Sequence, residues 1–141
     1  MTQPKPLISI VIPTYNYSSE LPRAVASVCR QLKEASAELI VVDDGSTDDT
    51  PAVIDSLCLA HPNMLKAIRK PNGGPSSARN KGLLESQGSY LIFLDADDEL
   101  TPHALSELSK HLESHPETRM VIGGHYSVSE NGKQREHLPQ N

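Results

Sequence analysis

The sequence has no tryptophan, one phenylalanine and four tyrosines, so its 37% hydrophobic content rests almost wholly on aliphatic side chains. It has no basic excess either. The net charge is −5, and a nucleic-acid binder would show a basic stripe. Only two cysteines occur, Cys29 and Cys58, with no CxxC and no metal-ligand spacing. They read as small buried hydrophobes in a reducing compartment. The opening residues, Met1 to Pro6, hold prolines and no apolar h-region, so no signal peptide is expected. No apolar run approaches the length of a membrane span. These absences point to a soluble, cytoplasmic chain, with the inner face of a membrane as its furthest reach.

Several motifs are absent too. There is no GxGxxG, no Walker loop, no G-x-S-x-G, no kinase set and no paired Ser/His/Asp signal. His111 and His115 share a helix face, but a zinc protease needs Glu directly after the first His, and Leu112 stands there. A solvated helix end is the plainer reading. A response regulator would carry its acidic pair after strand one, whereas here the pair follows strand two.

With 141 residues, the chain is long enough for one domain with a real core. Leu7 to Ile12 is a β-branched apolar run of the kind buried on both faces of a sheet. Ser18 or Ser19 can cap the helix that follows, with Leu21, Val25, Val28 and Leu32 on one face. Glu38 to Val42 reads as a second strand, then Thr50-Pro51 opens a helix with Val53, Ile54 and Leu57 inward. Met64 to Arg69 is a weaker third strand. Pro75 opens a third helix carrying Ala78, Leu83 and Leu84, which ends at Gly88 as a C′ glycine. Tyr90 to Glu99 supplies a fourth strand running into acids. Thr101-Pro102 starts a fourth helix with Leu105, Leu108 and Leu112 on one face, and Pro116 ends it. Arg119 to Ile122 reads as a short strand. His125 to Ser129 and Gln134 to Leu138 can pair through the Asn131-Gly132 turn. Alternating strands and helices with short connections imply parallel strands and right-handed crossovers, an α/β fold in one domain over residues 1–141. Ligands of such sheets bind beyond the carboxyl ends of the strands.

Four stretches at those ends carry chemistry. Asp95, Asp97 and Asp98 close the fourth strand. If the chain stays extended through Asp97, then Asp95 and Asp97 face one side. Close carboxylates repel unless a cation lies between them, and a hard divalent ion prefers oxygen ligands. Capping of the next helix explains Asp98 well and Asp95 poorly. Asp43-Asp44-Gly45-Ser46 follows strand two. A carboxylate there can accept from a base or a ribose hydroxyl, and Gly45 allows close backbone approach; the plainer reading is an Asx turn, which suits Asp48 and Asp49 better. Pro13-Thr14-Tyr15-Asn16 follows strand one, where Tyr15 can lie against a base or ribose or be a surface turn residue. Asn72 to Asn80 is glycine-rich, and its Arg79 can reach a diphosphate or remain solvated.

Together ISIVIPTYN, LIVVDDGSTDDT, NGGPSSARNKGL and YLIFLDADDEL, in that order and spacing, resemble the family 2 glycosyltransferases of GT-A fold. The resemblance covers roughly residues 7 to 125. It implies a three-layer α/β/α fold with a mainly parallel, Rossmann-like sheet. It implies a nucleotide-diphosphate-sugar donor, UDP-linked in preference, with Mg²⁺ or Mn²⁺. Pro13 and Tyr15 match the base-contacting loop, and Asp44 with Asp43 matches the carboxylate that reads the base. Arg79 matches an arginine near the donor. Asp95 and Asp97 match the DxD motif, Asp95 nearer the ribose or sugar and Asp97 on the metal, with Asp98 as a helper. The implied reaction is inverting transfer to an acceptor hydroxyl, saccharide or lipid-linked, as in polysaccharide biosynthesis. Family members continue past this length into a region holding the general base and much of the acceptor site. Glu130, Glu136 and His137 do not match that base by position, so the catalytic base stays unassigned. The sequence therefore reads as the donor-binding portion of such an enzyme. A non-catalytic nucleotide-binding module is the competing expectation, and a metal-dependent nucleotidyltransferase a weaker one, because TYNYSSE lacks a basic triphosphate loop. An exposed sheet edge leaves self-association open.

Overall fold

The computed structural model describes residues 4–140. Two compact units separate within it, the first ending at His111 and the second beginning at Leu112. The first unit alternates strand and helix: β1 (Ile8–Thr14), α1 (Leu21–Cys29), β2 (Ala37–Asp43), α2 (Thr50–Ala60), β3 (Leu65–Arg69), α3 (Pro75–Glu85) and β4 (Tyr90–Phe93), followed by α4 (Ala104–Ser114), whose last turn passes into the second unit. The four strands form one parallel sheet in the order β3-β2-β1-β4. That order reverses direction at β1. Right-handed crossovers then place α1 and α2 on one face and α3 on the other, giving the expected α/β/α layering.

The central strands bury both faces, which is why LISIVI and ELIVV read as continuous apolar runs. Ile8, Ile10, Ile12, Leu39 and Val41 alternate with Val11, Ile40 and Val42, and all are buried. Val11, Ile40 and Val42 cluster with Ala78 of α3, with Ile68 and Leu91 at the margins.

The interior of α3 differs from the sequence expectation. Ala78 and Gly82 are its buried residues, while Leu83 and Leu84 are 52% and 81% exposed. The helix approaches the sheet through its small residues: a Cβ on Gly82 would lie 2.2 Å from Val11 Cγ1. Gly88 is no C′ glycine either, since α3 ends at Glu85 with Ser86 as its cap. Gly88 lies where a Cβ would be 2.6 Å from Ser9 N, and its amide donates to Ser9 Oγ at 2.8 Å. The missing side chain lets the chain pass over β1 on its way into β4.

Helix starts also moved. Neither Ser18 nor Ser19 caps α1, whose N-cap is Glu20 without a side-chain bond. Thr50 falls inside α2, and its amide donates to Asp48 Oδ1 at 2.8 Å, the turn role expected of Asp48. After Thr101-Pro102, His103 takes a left-handed φ of 65° and the helix begins at Ala104.

In the second unit, β5 (His125–Val128) and β6 (Gln134–His137) pair antiparallel as expected. Gly132 takes φ 78° in the connecting turn. His125 and His137, directly opposite in register, stack at 4.6 Å between ring centroids. The strand expected at Arg119 to Ile122 does not form. Met120 and Ile122 are exposed, and among the described residues no neighbouring strand offers that stretch a ladder. Propensity without a pairing partner does not make a strand.

Candidate functional site

All four strands are parallel, so the loops after β1, β2, β3 and β4 leave the same rim. The sheet reverses order between β1 and β4, the crevice where such sheets take ligands. Each loop is fixed by a different device.

Asn16 ties the first loop to the second. It takes a left-handed φ of 56°, which asparagine tolerates. Its side-chain Oδ1 accepts from the amides of Thr47 at 2.8 Å and Asp48 at 3.2 Å. Its own amide donates to Ser46 Oγ at 2.9 Å. Pro13 is the sixth residue of β1, and Tyr15, just beyond the strand, is exposed.

The acidic pair after β2 divides into two different groups. Asp44 is 2% exposed. Its Oδ1 accepts from Lys70 Nζ at 2.7 Å and the Gly73 amide at 3.0 Å. Its Oδ2 accepts from the Gly74 amide at 2.8 Å and Asn72 Nδ2 at 3.3 Å. Four donors fill the roughly four lone-pair positions of a carboxylate. Burial pushes this carboxyl up, but the Lys70 ammonium and the two glycine amides outweigh it, so its pKa lies below the ordinary 3.8. Asp44 is thus the anchor of the loop between β3 and α3. Gly45 serves the same packing. At φ +72°, its missing Cβ would meet Asn72 N at 2.7 Å, so the close approach it permits is by that loop's backbone.

Asp43 is equally buried but not saturated. Its Oδ1 accepts from the Ser46 amide at 3.0 Å. Its Oδ2 has no hydrogen-bond donor, and Arg69 Nε approaches it only to 3.6 Å. Thr14 Oγ1, on the residue opposite Asp43 in register, is also buried without a hydrogen bond. Buried acceptors without donors are costly and uncommon. These two mark the sheet rim as a place with unmet polar demand.

The fourth loop corrects the geometry expected of the acids. β4 ends at Phe93 and the chain does not stay extended through Asp97. It turns instead, with the Asp98 amide donating to Asp95 O at 3.0 Å. Ala96, buried, points into the protein between two exposed acids. The turn achieves what strand alternation was expected to do, and adds a residue: ligand oxygens of Asp95, Asp97 and Asp98 lie within 4.8 Å of one another. It is the one such cluster of three potential ligands among the described residues. Three like charges at that separation repel, and a set of hard oxygen donors suits Mg²⁺ or Mn²⁺ better than zinc. Arg79 Nη2 reaches Asp95 Oδ1 at 2.9 Å, so those two expected site residues are brought together. His111 lies on α4, and His115 falls just past its end at Ser114.

Sequence reasoning passed over Lys70, and with it the internal partner that turns Asp44 into an anchor. It also passed over Arg23, Ser27 and Gln31, which contact the acidic loop. The available signal was their spacing by four along the first helix and into the turn after it, among mostly apolar residues.

The sequence and fold have counterparts among known proteins. The chain is 38% identical over 107 residues to the minor teichoic acid biosynthesis protein GgaA of Bacillus subtilis, covering 72% of this chain and 24% of that one. Its fold superposes on S. aureus TarS 1-349 in complex with UDP-GlcNAc with a TM-score of 0.68 and 30% identity, over 77% of this chain and 32% of that one. It superposes on the mannosyltransferase PcManGT of Pyrobaculum calidifontis, in complex with GDP-Man and Mn²⁺, with a TM-score of 0.61 and 25% identity, over 85% and 34%. The chain thus spans less than half the length of these relatives. The GT-A fold expected from the sequence is the fold observed. The model of glycosyl transferase family 2 matches residues 9–141, from within β1 through the hairpin, and the chain belongs to that family.

Proposed function

We propose that the chain binds the donor in a sugar transfer: a nucleotide-diphosphate sugar, UDP-linked in preference, held with Mg²⁺ or Mn²⁺ for inverting transfer to the hydroxyl of a saccharide or lipid-linked acceptor. The observation that carries this reading is the convergence of Asp95, Asp97 and Asp98 within 4.8 Å beside the point where the sheet reverses. Likeness to proteins solved with UDP-GlcNAc and with GDP-Man and Mn²⁺ supports it. We assign the base to the rim of β1 and β2. There the exposed ring of Tyr15, beside Pro13, offers a flat face, and Asp43 Oδ2 offers an acceptor without a donor. A base N–H or ribose hydroxyl supplies that donor. Asp44 then acts through the loop it holds, since its own lone pairs are engaged.

At the other end of the donor, Arg79 faces the diphosphate and Asp95 the ribose or sugar. Their ion pair sets both side chains before the donor arrives. Asp97 leads the metal set, with Asp95 and Asp98. A divalent cation there supplies positive charge to the departing nucleoside diphosphate. No helix among the described residues is long and apolar enough to cross a membrane, and we assign the activity to the cytoplasm, at or near the membrane's inner face.

Titration calorimetry with UDP and with GDP, each with Mn²⁺ or with chelator, tests the reading. Heat is expected with UDP and Mn²⁺ and is lost with chelator. Asp97→Ala should weaken Mn²⁺-supported binding about tenfold or more with an unchanged circular dichroism spectrum. No heat under any condition removes the donor site, and unchanged affinity in Asp97→Ala removes the metal assignment.

A further inference from the structure

The acidic loop after β4 is held by one stripe of another element. Arg23 and Ser27 lie on α1, and Gln31 lies in the turn after it, spaced by four along one face. Arg23 Nη2 donates to Asp97 O at 3.3 Å, and its Nε pairs with Glu99 Oε2 at 3.1 Å. Ser27 Oγ accepts from the Leu100 amide at 3.0 Å while donating to Ala24 O at 2.7 Å. Gln31 Nε2 donates to Thr101 O at 2.9 Å and to Ser27 O at 3.0 Å, and its Oε1 accepts from the Leu105 amide at 2.9 Å. Ser27 and Gln31 are both buried.

We propose that Arg23, Ser27 and Gln31 are positioning residues that set the backbone of residues 97–105, and thereby the spacing of the Asp95, Asp97 and Asp98 carboxylates. The proposal rests on the metal reading above. Two features separate it from general packing. The contacts fall on successive parts of one loop, at 97, 99, 100 and 101, and then on the first turn of α4 at 105, in the same order as the stripe runs. All but the Glu99 pair are hydrogen bonds to backbone groups, which fix where the chain goes regardless of the side chains that line it. No regular ladder holds this loop, because β4 stops at Phe93 and α4 starts at Ala104. The stripe supplies the bonds a strand or helix would otherwise provide. Three exposed carboxylates repel one another, so without those bonds the turn opens and the oxygens move apart. Groups that orient ligands without touching the metal commonly alter affinity by 10–100-fold.

The test uses the whole chain and Mn²⁺ alone, with free Mn²⁺ followed by electron paramagnetic resonance, and hydrogen exchange of residues 95–101 measured in parallel. Gln31→Leu removes three hydrogen bonds from a buried site. Arg23→Gln changes an exposed residue, so folding is not at risk. Both are expected to weaken Mn²⁺ binding about tenfold and to speed exchange in 95–101 more than in β1 and β2. Arg23→Lys, which can still donate to Asp97 O, should recover part of the affinity. Equal Mn²⁺ affinity and equal exchange in the parent, Gln31→Leu and Arg23→Gln overturn the proposal and leave the donor reading standing. A parent chain that binds no Mn²⁺, alone or with UDP, overturns both.

Discussion

Asp44→Asn is the sharpest test of how the rim is built. Asp44 is buried and paired with Lys70, whose side chain is itself only 16% exposed. Removing one member of a buried pair strands the other, at a cost of about 3–5 kcal/mol. The amide retains one oxygen, so two of the four donors lose their acceptor and meet an NH₂ group instead. We expect a loss near the lower end, about 3 kcal/mol, against a total stability of roughly 5–15 kcal/mol. For a domain of this size that is about 6–12 °C in Tm. Far-ultraviolet circular dichroism is the suitable probe, since the chain has no tryptophan.

The pH dependence is more diagnostic than the loss itself. The Asp44 carboxyl titrates below its ordinary 3.8 in the folded chain. A depressed folded value means the carboxylate contributes fully above the unfolded pKa and loses its contribution as pH falls through the folded one. The parent and Asp44→Asn should therefore differ most near neutral pH, with the gap narrowing as pH falls below the ordinary 3.8. Lys70→Met should lower stability similarly at pH 7, and the double variant should lose less than the sum. A Tm for Asp44→Asn within about 1 °C of the parent, or a gap that stays constant from pH 7 to pH 3, would refute the anchor.

Two further outcomes follow from packing. Gly82→Ala adds a methyl 2.2 Å from Val11 Cγ1. The resulting overpacking, about 1–3 kcal/mol, should exceed the roughly 1 kcal/mol gained in helix propensity; Tm should fall, and a rise would show that α3 has room to lift. Burial pushes the Cys29 thiol up to about 11, so at pH 8 native protein should show one thiol reacting quickly with a disulfide reagent, Cys58, and Cys29 only on unfolding. Equal native rates would refute its burial.

The sheet was legible because both faces of its centre are covered. Runs such as ISIVI and LIVV admit one reading, and alternation with helices then fixes parallel pairing. α3 was not legible by the same rule, because hydrophobicity is a poor guide where closeness decides. Its contact with β1 is made by Ala78 and Gly82, and a periodicity search weights Leu83 and Leu84 instead. The Arg119 to Ile122 stretch failed for a related reason, since strand propensity says nothing about whether a partner exists. The site was legible in its residue types and less so in its partnerships. Asp43 and Asp44 are neighbours of the same chemistry, yet one is saturated and the other has an oxygen to spare. The difference is set by Lys70 and Asn72, some 26 and 28 residues further along.

That division explains why the rim carries more acids than a ligand needs. A loop that must bring carboxylates together cannot rely on them to hold it, because they repel. Its order has to come from elsewhere, and each functional loop has its own source: Asn16 for the first two, Asp44 with Lys70 for the third, the α1 stripe for the fourth. Every one of these anchors is itself polar and adjacent to the site in sequence or space. A motif search therefore gathers anchors and ligand-facing residues together, and only the hydrogen-bond partners of each carboxylate separate them. On that criterion Asp44 belongs with the scaffold, whereas Asp43 keeps an oxygen without a donor, and our proposal gives it, with Asp95 and Asp97, to the ligand.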